Sequence, residues 1–235
     1  MRTLAIIPCR LKSSRFPGKS LALVDGIPLV QRVYEQVRES NAVNQIIIAT
    51  DSKRILDFAK EIKADCEYSL KTYENGSDRC FDVIKKNYGE YDFFINVQGD
   101  IAYFNPQEID QMCLIFKKEN PQIITIANKI FNAIEKNDSN IVKVSFDKNK
   151  IATSFYRNSK IKKTEFKHRG IYGFNKKMIH KISNLKTDID EKKLSLEQLR
   201  WMNNGINIRV VVSESDSHSI DSIEDLNKSL FLKDK

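Results

Sequence analysis

No Cys-x-x-Cys pair occurs in the chain. Cys9, Cys66, Cys80 and Cys113 lie far apart, and none stands at zinc-ligand spacing from His168, His180 or His218. A disulfide framework and a zinc module are therefore excluded, and reduced, partly buried thiols are expected. No apolar run approaches the ~20 residues that cross a bilayer as a helix. The N-terminus is basic and then apolar, but it meets Pro8 and a charged loop where a signal peptide would need a longer apolar region, so a cytoplasmic start is expected. GxxxxGK[ST] is absent, which removes the P-loop reading. Internal repeats, low-complexity stretches and obvious linkers are also lacking.

What remains is ordinary in amount and informative in order. The 235 residues are 41% hydrophobic, enough to bury a substantial core in one domain, 1–235. Thr3–Pro8, Gln45–Thr50 and Tyr91–Val97 are apolar runs, the pattern of strands buried on both faces. Between them, 28–40 sets Leu29, Val30, Val33 and Val37 on one helical face. Helices are also predicted over 53–62, with Asp51-Ser52 as its cap, and over 77–87. Strand, loop and helix repeating in this way predict an α/β fold with a parallel central sheet covered by helices. The second half is less regular. Strands are predicted over 122–128, 141–146, 151–156, 170–174 and 206–212, and helices over 194–203 and 223–231. These predict a smaller second-half sheet, with the subregion at about 121–205.

In such a sheet, ligands sit outside the carboxyl ends of the strands. After the first strand comes Cys9-Arg10-Leu11-Lys12-Ser13-Ser14-Arg15-Phe16-Pro17-Gly18-Lys19. Its cations and backbone N–H groups could offset the charge of a triphosphate, or the segment could be a solvated basic loop. The third strand ends in Gln98-Gly99-Asp100. Here Asp100 could hold a divalent metal against phosphate oxygens or simply cap a turn. Asp221, at a strand-to-helix turn, could meet the same metal or cap the last helix. The net charge of +8 suits a polyanionic small molecule as well as nucleic acid.

The segments IIPCRLKSSRFPGKSL, IIIATD, YENGSDRCFDVI, INVQGD, NIVKVSF, KHRGIYGF, SLEQLR and SIDSIEDL run in order along nearly the whole chain. Together they resemble the CMP-Kdo synthetases, the 3-deoxy-manno-octulosonate cytidylyltransferases. The first motif is shared by several sugar nucleotidyltransferases, whereas HRGIYG with LEQLR and IDSIEDL is more specific. The resemblance implies a Rossmann-like nucleotidyltransferase, CTP and an acidic sugar as substrates, Mg2+ as cofactor, and a homodimer built through the second-half strands. It carries Arg10, Ser13, Ser14, Arg15 and Lys19 over as the triphosphate loop, with Lys19 offsetting charge on leaving pyrophosphate. Gly76, Ser77, Asp78, Arg79 and Gln98 become nucleotide-binding, and Asp100 and Asp221 the magnesium ligands. Arg157 would pair with the sugar carboxylate, and His168, Tyr172, Glu197 and Gln198 would line the sugar pocket. Ile101-Ala102 stand where the family continues Glu-Pro, and Arg169 follows His168 where a small or apolar residue is usual.

Two other readings differ in class. One is a nucleotidyltransferase for another sugar, such as an amino-substituted Kdo or another nonulosonic acid. The other is a basic nucleic-acid-binding domain. Against the second, Phe93, Phe94, Tyr172 and Phe174 lie within apolar runs, not interleaved with Lys or Arg as a stacking platform would be.

Overall fold

A strand sealed on both faces needs apolar side chains along its length, and the first strand meets that demand from Leu4 onward. In β1 (Thr3–Cys9), Ala5, Ile7 and Cys9 enter one hydrophobic cluster while Leu4 and Ile6 enter the other. The computed structural model describes residues 1–12, 15–86, 89–157, 165–215 and 217–229. After β1 and a 3-10 turn (Lys19–Leu21) come β2 (Leu23–Val24), β3 (Ile27–Pro28), α1 (Leu29–Arg38), β4 (Gln45–Thr50), α2 (Lys53–Glu61) and β5 (Asp65–Tyr68). Then follow α3 (Gly76–Lys85), β6 (Phe93–Val97), β7 (Ile101–Tyr103), α4 (Gln107–Glu119), β8 (Ile123–Lys129) and α5 (Ala133–Asn137). The rest comprises β9 (Lys143–Phe146), β10 (Ala152–Tyr156), β11 (Phe166–Asn175), α6 (Lys176–Ser183), α7 (Ile189–Leu194), α8 (Glu197–Asn203), β12 (Ile208–Ser213), β13 (His218–Ser219) and α9 (Ile223–Ser229).

The main sheet runs β10-β9-β11-β6-β1-β4-β5, with β8 pairing β11 and β12. Its central strands β6, β1, β4 and β5 are parallel, with Leu4 opposite Gln45 and Thr3 opposite Phe93. The second-half strands continue this same sheet: β11 pairs antiparallel with both β6 and β8. Two small two-stranded sheets, β2-β3 and β7-β13, stand apart. Helices cover both faces. Val30, Val33 and Val37 of α1 and Ile109 and Met112 of α4 close one cluster, while Phe81 of α3, Ile182 of α6 and Trp201 of α8 close the other.

The structure departs from the sequence reading at a few boundaries. Ser52 sits at the N-cap of α2, but its side chain makes no capping bond. The helix expected over 194–203 begins later, as α8 at Glu197, because Ser195 takes a left-handed conformation (φ 53°) that closes α7, a helix over Ile189–Leu194 that was not foreseen. That conformation ends a helix, since only one residue adopts it before the chain must turn. The segment read as 170–174 is the longer β11. None of the described helices is long and apolar enough to cross a membrane.

Candidate active site

Topology places the site where β4 and β6 flank β1 on opposite sides, at the strands' carboxyl ends. Two glycines shape this edge. A Cβ on Gly99 would lie 2.7 Å from Cys9 Sγ and 2.9 Å from the Pro8 carbonyl, so only glycine lets the turn after β6 close onto the end of β1. Gly18 adopts φ 79°, and its N–H donates to the Leu11 carbonyl at 2.8 Å, which closes the basic loop. The Ser20 hydroxyl donates to the Arg10 carbonyl at 3.2 Å. Lys19 is thereby aimed across the carboxyl edge. Ser13 and Ser14 lie outside the described residues.

Lys19 meets both distant aspartates. Its Nζ is 2.8 Å from Asp100 Oδ2 and 2.9 Å from Asp221 Oδ1, and Arg15 lies 3.1 Å from the same Asp221 oxygen. The convergence has a backbone cause. β13 pairs antiparallel with β7, which directly follows Asp100, and the Ile220 N–H donates to the Asp100 carbonyl at 2.8 Å. Capping of α9 falls to its neighbours, because Asp225 Oδ2 accepts from the N–H groups of Asp221 and Ser222 while Ser222 Oγ accepts from Asp225 N–H. Asp221 thus keeps its carboxylate for the cations. Burial would raise the Asp221 carboxyl, but Lys19, Arg15 and Arg157 outweigh it and hold it below its usual value. For Lys19, burial would lower the ammonium, but the two aspartates outweigh it and raise it.

A cavity of about 190 Å³ opens beside this cluster, lined by Arg10, Arg15, Lys19, Gly76, Arg79, Gln98, Asp100 and Asp221. Its far wall is the start of α3, where Asn75 Oδ1 caps the helix by accepting from Asp78 N–H at 2.8 Å. Gly76 approaches Gln98 so closely that a Cβ would lie 2.7 Å from Oε1. Buried Ser77 Oγ accepts from Asn96 Nδ2 at 3.0 Å. Arg79 is fixed by Asp51 at 2.6 Å and lies over the Tyr73 ring at 4.8 Å. Asp78 faces the other way and pairs with Arg200 at 2.9 Å. Tyr73 and Asn75 also line the cavity. Sequence reasoning missed both residues, although Asn75 three places before Asp78 is a helix-start pattern.

His168, Tyr172, Glu197 and Gln198 also come together, on β11 and the first turn of α8. Gln198 Nε2 donates to the Tyr172 hydroxyl and lies 3.5 Å from His168 Nδ1. Thr125, another residue not foreseen, lies 2.9 Å from His168 Nε2 and directs its own proton at the Ile171 carbonyl, 2.8 Å away. This network assigns the Nε2–H tautomer to His168. Burial and then Arg169 push the His168 pKa down to about 3. Burial pushes Glu197 up to about 7, against a hydrogen bond from Ser77. Arg157 gives its donors to backbone: Nε to Leu194 O at 3.0 Å, and its terminal nitrogens to the carbonyls of Ser139, Asn140 and Ser195. It ties the β9 approach to the α7–α8 turn.

Among the described residues, no group of three or more His, Cys, Asp or Glu could hold a metal unaided. Two carboxylates meeting at one point nevertheless fit magnesium, which takes one or two carboxylates and completes its shell with water and substrate phosphates.

The carboxyl-edge cavity, its cationic loop and its paired aspartates define a nucleotide-handling α/β protein. Residues 4–220 match the model of the cytidylyltransferase family. A 3-deoxy-manno-octulosonate cytidylyltransferase from Thermodesulfovibrio yellowstonii is 36% identical over 244 residues, with 96% of each chain covered. One from Parabacteroides distasonis is 34% identical, covering 98% of this chain and 97% of that one. A solved CMP:2-keto-3-deoxy-manno-octonic acid synthetase, complexed with CTP, superposes with a TM-score of 0.91 at 29% identity and covers 100% of both chains. A putative glucose-1-phosphate thymidylyltransferase from Bacillus anthracis, 14% identical, shares the fold with a TM-score of 0.71 over 98% of this chain and 94% of that one. The chain belongs to the 3-deoxy-manno-octulosonate cytidylyltransferase family.

Proposed function

We propose that this protein transfers CMP from CTP to the anomeric hydroxyl of 3-deoxy-manno-octulosonate (Kdo), releasing pyrophosphate. The observation that carries the reading is the meeting of Lys19, Asp100 and Asp221 at the mouth of the cavity. Gly76, Arg79 and Gln98 form the nucleoside wall, with buried Ser77 bracing it from behind through Asn96, and Arg10 and Arg15 face the phosphates. The sugar hydroxyl attacks the α-phosphorus in line with the departing pyrophosphate, whose charge Lys19 offsets. Asp100 and Asp221 would hold Mg2+, which when bound neutralises phosphate charge and acidifies the sugar hydroxyl.

His168, Tyr172, Glu197 and Gln198 are assigned to the sugar hydroxyls, with Thr125 and Gln198 holding neutral His168 in place among them. Arg157 takes the sugar carboxylate, exchanging neutral carbonyls for a charged acceptor that makes stronger bonds. The product is an activated donor for lipopolysaccharide assembly, made in the cytoplasm by a homodimer joined through the second-half strands. Exposed Phe131 and Ile134, beside β8, support that last element.

The test is pyrophosphate release on mixing the protein with CTP, MgCl2 and Kdo. No turnover with Kdo or any other ulosonic acid ends the proposal. Asp100→Asn and Asp221→Asn are each expected to lower turnover by roughly 10²-fold or more with an unchanged circular dichroism spectrum. Wild-type rates in either variant remove that residue from the metal pair.

A further inference from the structure

Asp100 and Asp221 converge on one point, and a cation of this chain already holds it. Lys19 Nζ is within 2.9 Å of both carboxylates, and its side chain is only 13% exposed. Arg15 adds a second positive charge on Asp221. Two anions and two cations balance locally, so the cluster has no net attraction for another cation. Resting on the reading of Asp100 and Asp221 as the metal pair, we propose that Lys19 is a placeholder for the divalent ion. Its ammonium keeps the two carboxylates together in the nucleotide-free protein, and Mg2+ enters only as the triphosphate draws Lys19 away.

The geometry gives each part of this exchange a cause. The ammonium occupies the inward oxygens, Asp100 Oδ2 and Asp221 Oδ1, that a shared metal would need. Forcing a divalent ion in beside Lys19 and Arg15 sets like charges together and is disfavoured. A triphosphate reverses this balance, because it brings new anionic acceptors into the cavity that Arg10, Arg15 and Lys19 line. Lysine suits the task, being a compact charge on a flexible four-carbon stem that can turn without moving the backbone. That backbone is anchored on either side, by Gly18 N–H on the Leu11 carbonyl and by Ser20 Oγ on the Arg10 carbonyl. Arg157, a third cation acting on Asp221, is tethered to four backbone carbonyls and makes no ion pair with Asp221 to release. The chain thus spans 202 residues with one side chain to preassemble a metal site that it simultaneously blocks.

Calorimetric titration of MgCl2 into the nucleotide-free protein at constant ionic strength, paired with Mg2+-dependent melting, tests the exchange. Wild type is expected to bind Mg2+ weakly. Lys19→Met and Lys19→Gln are expected to bind more than about tenfold tighter and to gain a Mg2+-dependent rise in Tm. Lys19→Arg, which keeps the charge, retains weak binding. Adding Asp221→Asn to Lys19→Met abolishes the gain. Equal affinity in wild type and Lys19→Met, lost from both on adding Asp221→Asn, overturns the placeholder while the metal pair stands. Binding that ignores Asp221→Asn, or none in any variant up to the millimolar range, removes the metal pair and the placeholder together.

Discussion

Arg169 on β11 and Glu108 in the first turn of α4 form an ion pair inside the protein, and breaking it is expected to be expensive. Arg169 NH1 lies 2.6 Å from Glu108 Oε1, both side chains are 4% exposed, and Ser213 Oγ donates to the same oxygen. Burial raises the Glu108 carboxyl above its usual value even though Arg169 and Ser213 oppose it. Glu108→Ala therefore takes a carboxylate away from a buried guanidinium, and breaking a buried pair in this way typically costs about 3–5 kcal/mol. For a chain of this size each kcal/mol lowers Tm by about 2–4 °C, so a fall of about 6–20 °C is expected. Glu108→Met combined with Arg169→Met removes both charges and fills similar volume, and it is expected to lie within about 1 kcal/mol of wild type. Urea unfolding of the two singles and the double closes the cycle. A double variant as unstable as the sum of its singles would falsify the pairing, and so would a Glu108→Ala variant that loses under about 1 kcal/mol.

The buried titratable groups and the close-packed Gly173 give three further tests. Glu197 is raised from 4.5 to about 7, so the folded state keeps a proton that the unfolded state loses. Its contribution is full below pH 4.5 and lost as pH rises through 7, by on the order of 2 kcal/mol, and Glu197→Gln should flatten this slope in urea titrations at pH 5 and pH 8. His168, lowered from 6.5 to about 3, contributes stability above pH 6.5 that is lost as pH falls toward 3. Its imidazole NMR shifts should stay flat from pH 8 down to pH 5, and a midpoint near neutrality would refute the neutral assignment. A Cβ at Gly173 would fall 2.1 Å from Phe93 Cζ and 2.6 Å from Ile124 Cγ2, so Gly173→Ala should cost about 1–3 kcal/mol or more by thermal melting.

The central strands were legible because burial on both faces leaves an unbroken apolar run. For the same reason α1 showed its buried stripe, Leu29, Val30, Val33 and Val37. α4 escaped the reading although its buried Ile109, Met112, Cys113 and Phe116 stand at helical spacing, because exposed Leu114 and half-buried Ile115 fill the gap between them and turn the stripe into an unbroken apolar run. The edge strand β5, Asp-Cys-Glu-Tyr, has one side unpaired and carries polar residues. At the candidate site, each residue's local reading was ambiguous. Asp100 and Asp221 could both have been caps, and what sets them together is the short β7–β13 pairing, whose two-residue strand leaves no pattern in the sequence. The His168 environment was equally invisible, since Thr125 reaches it from β8, 43 residues away.

The bond from Ile220 to Asp100 fixes when the chain can become competent during its synthesis. All four strands of the sheet's parallel centre lie before residue 98, yet the second carboxylate stands just ahead of the last described helix. A nascent chain ending before Asp221 would present Lys19 with a single carboxylate, so the charge cluster is completed only after every strand of the main sheet has been made.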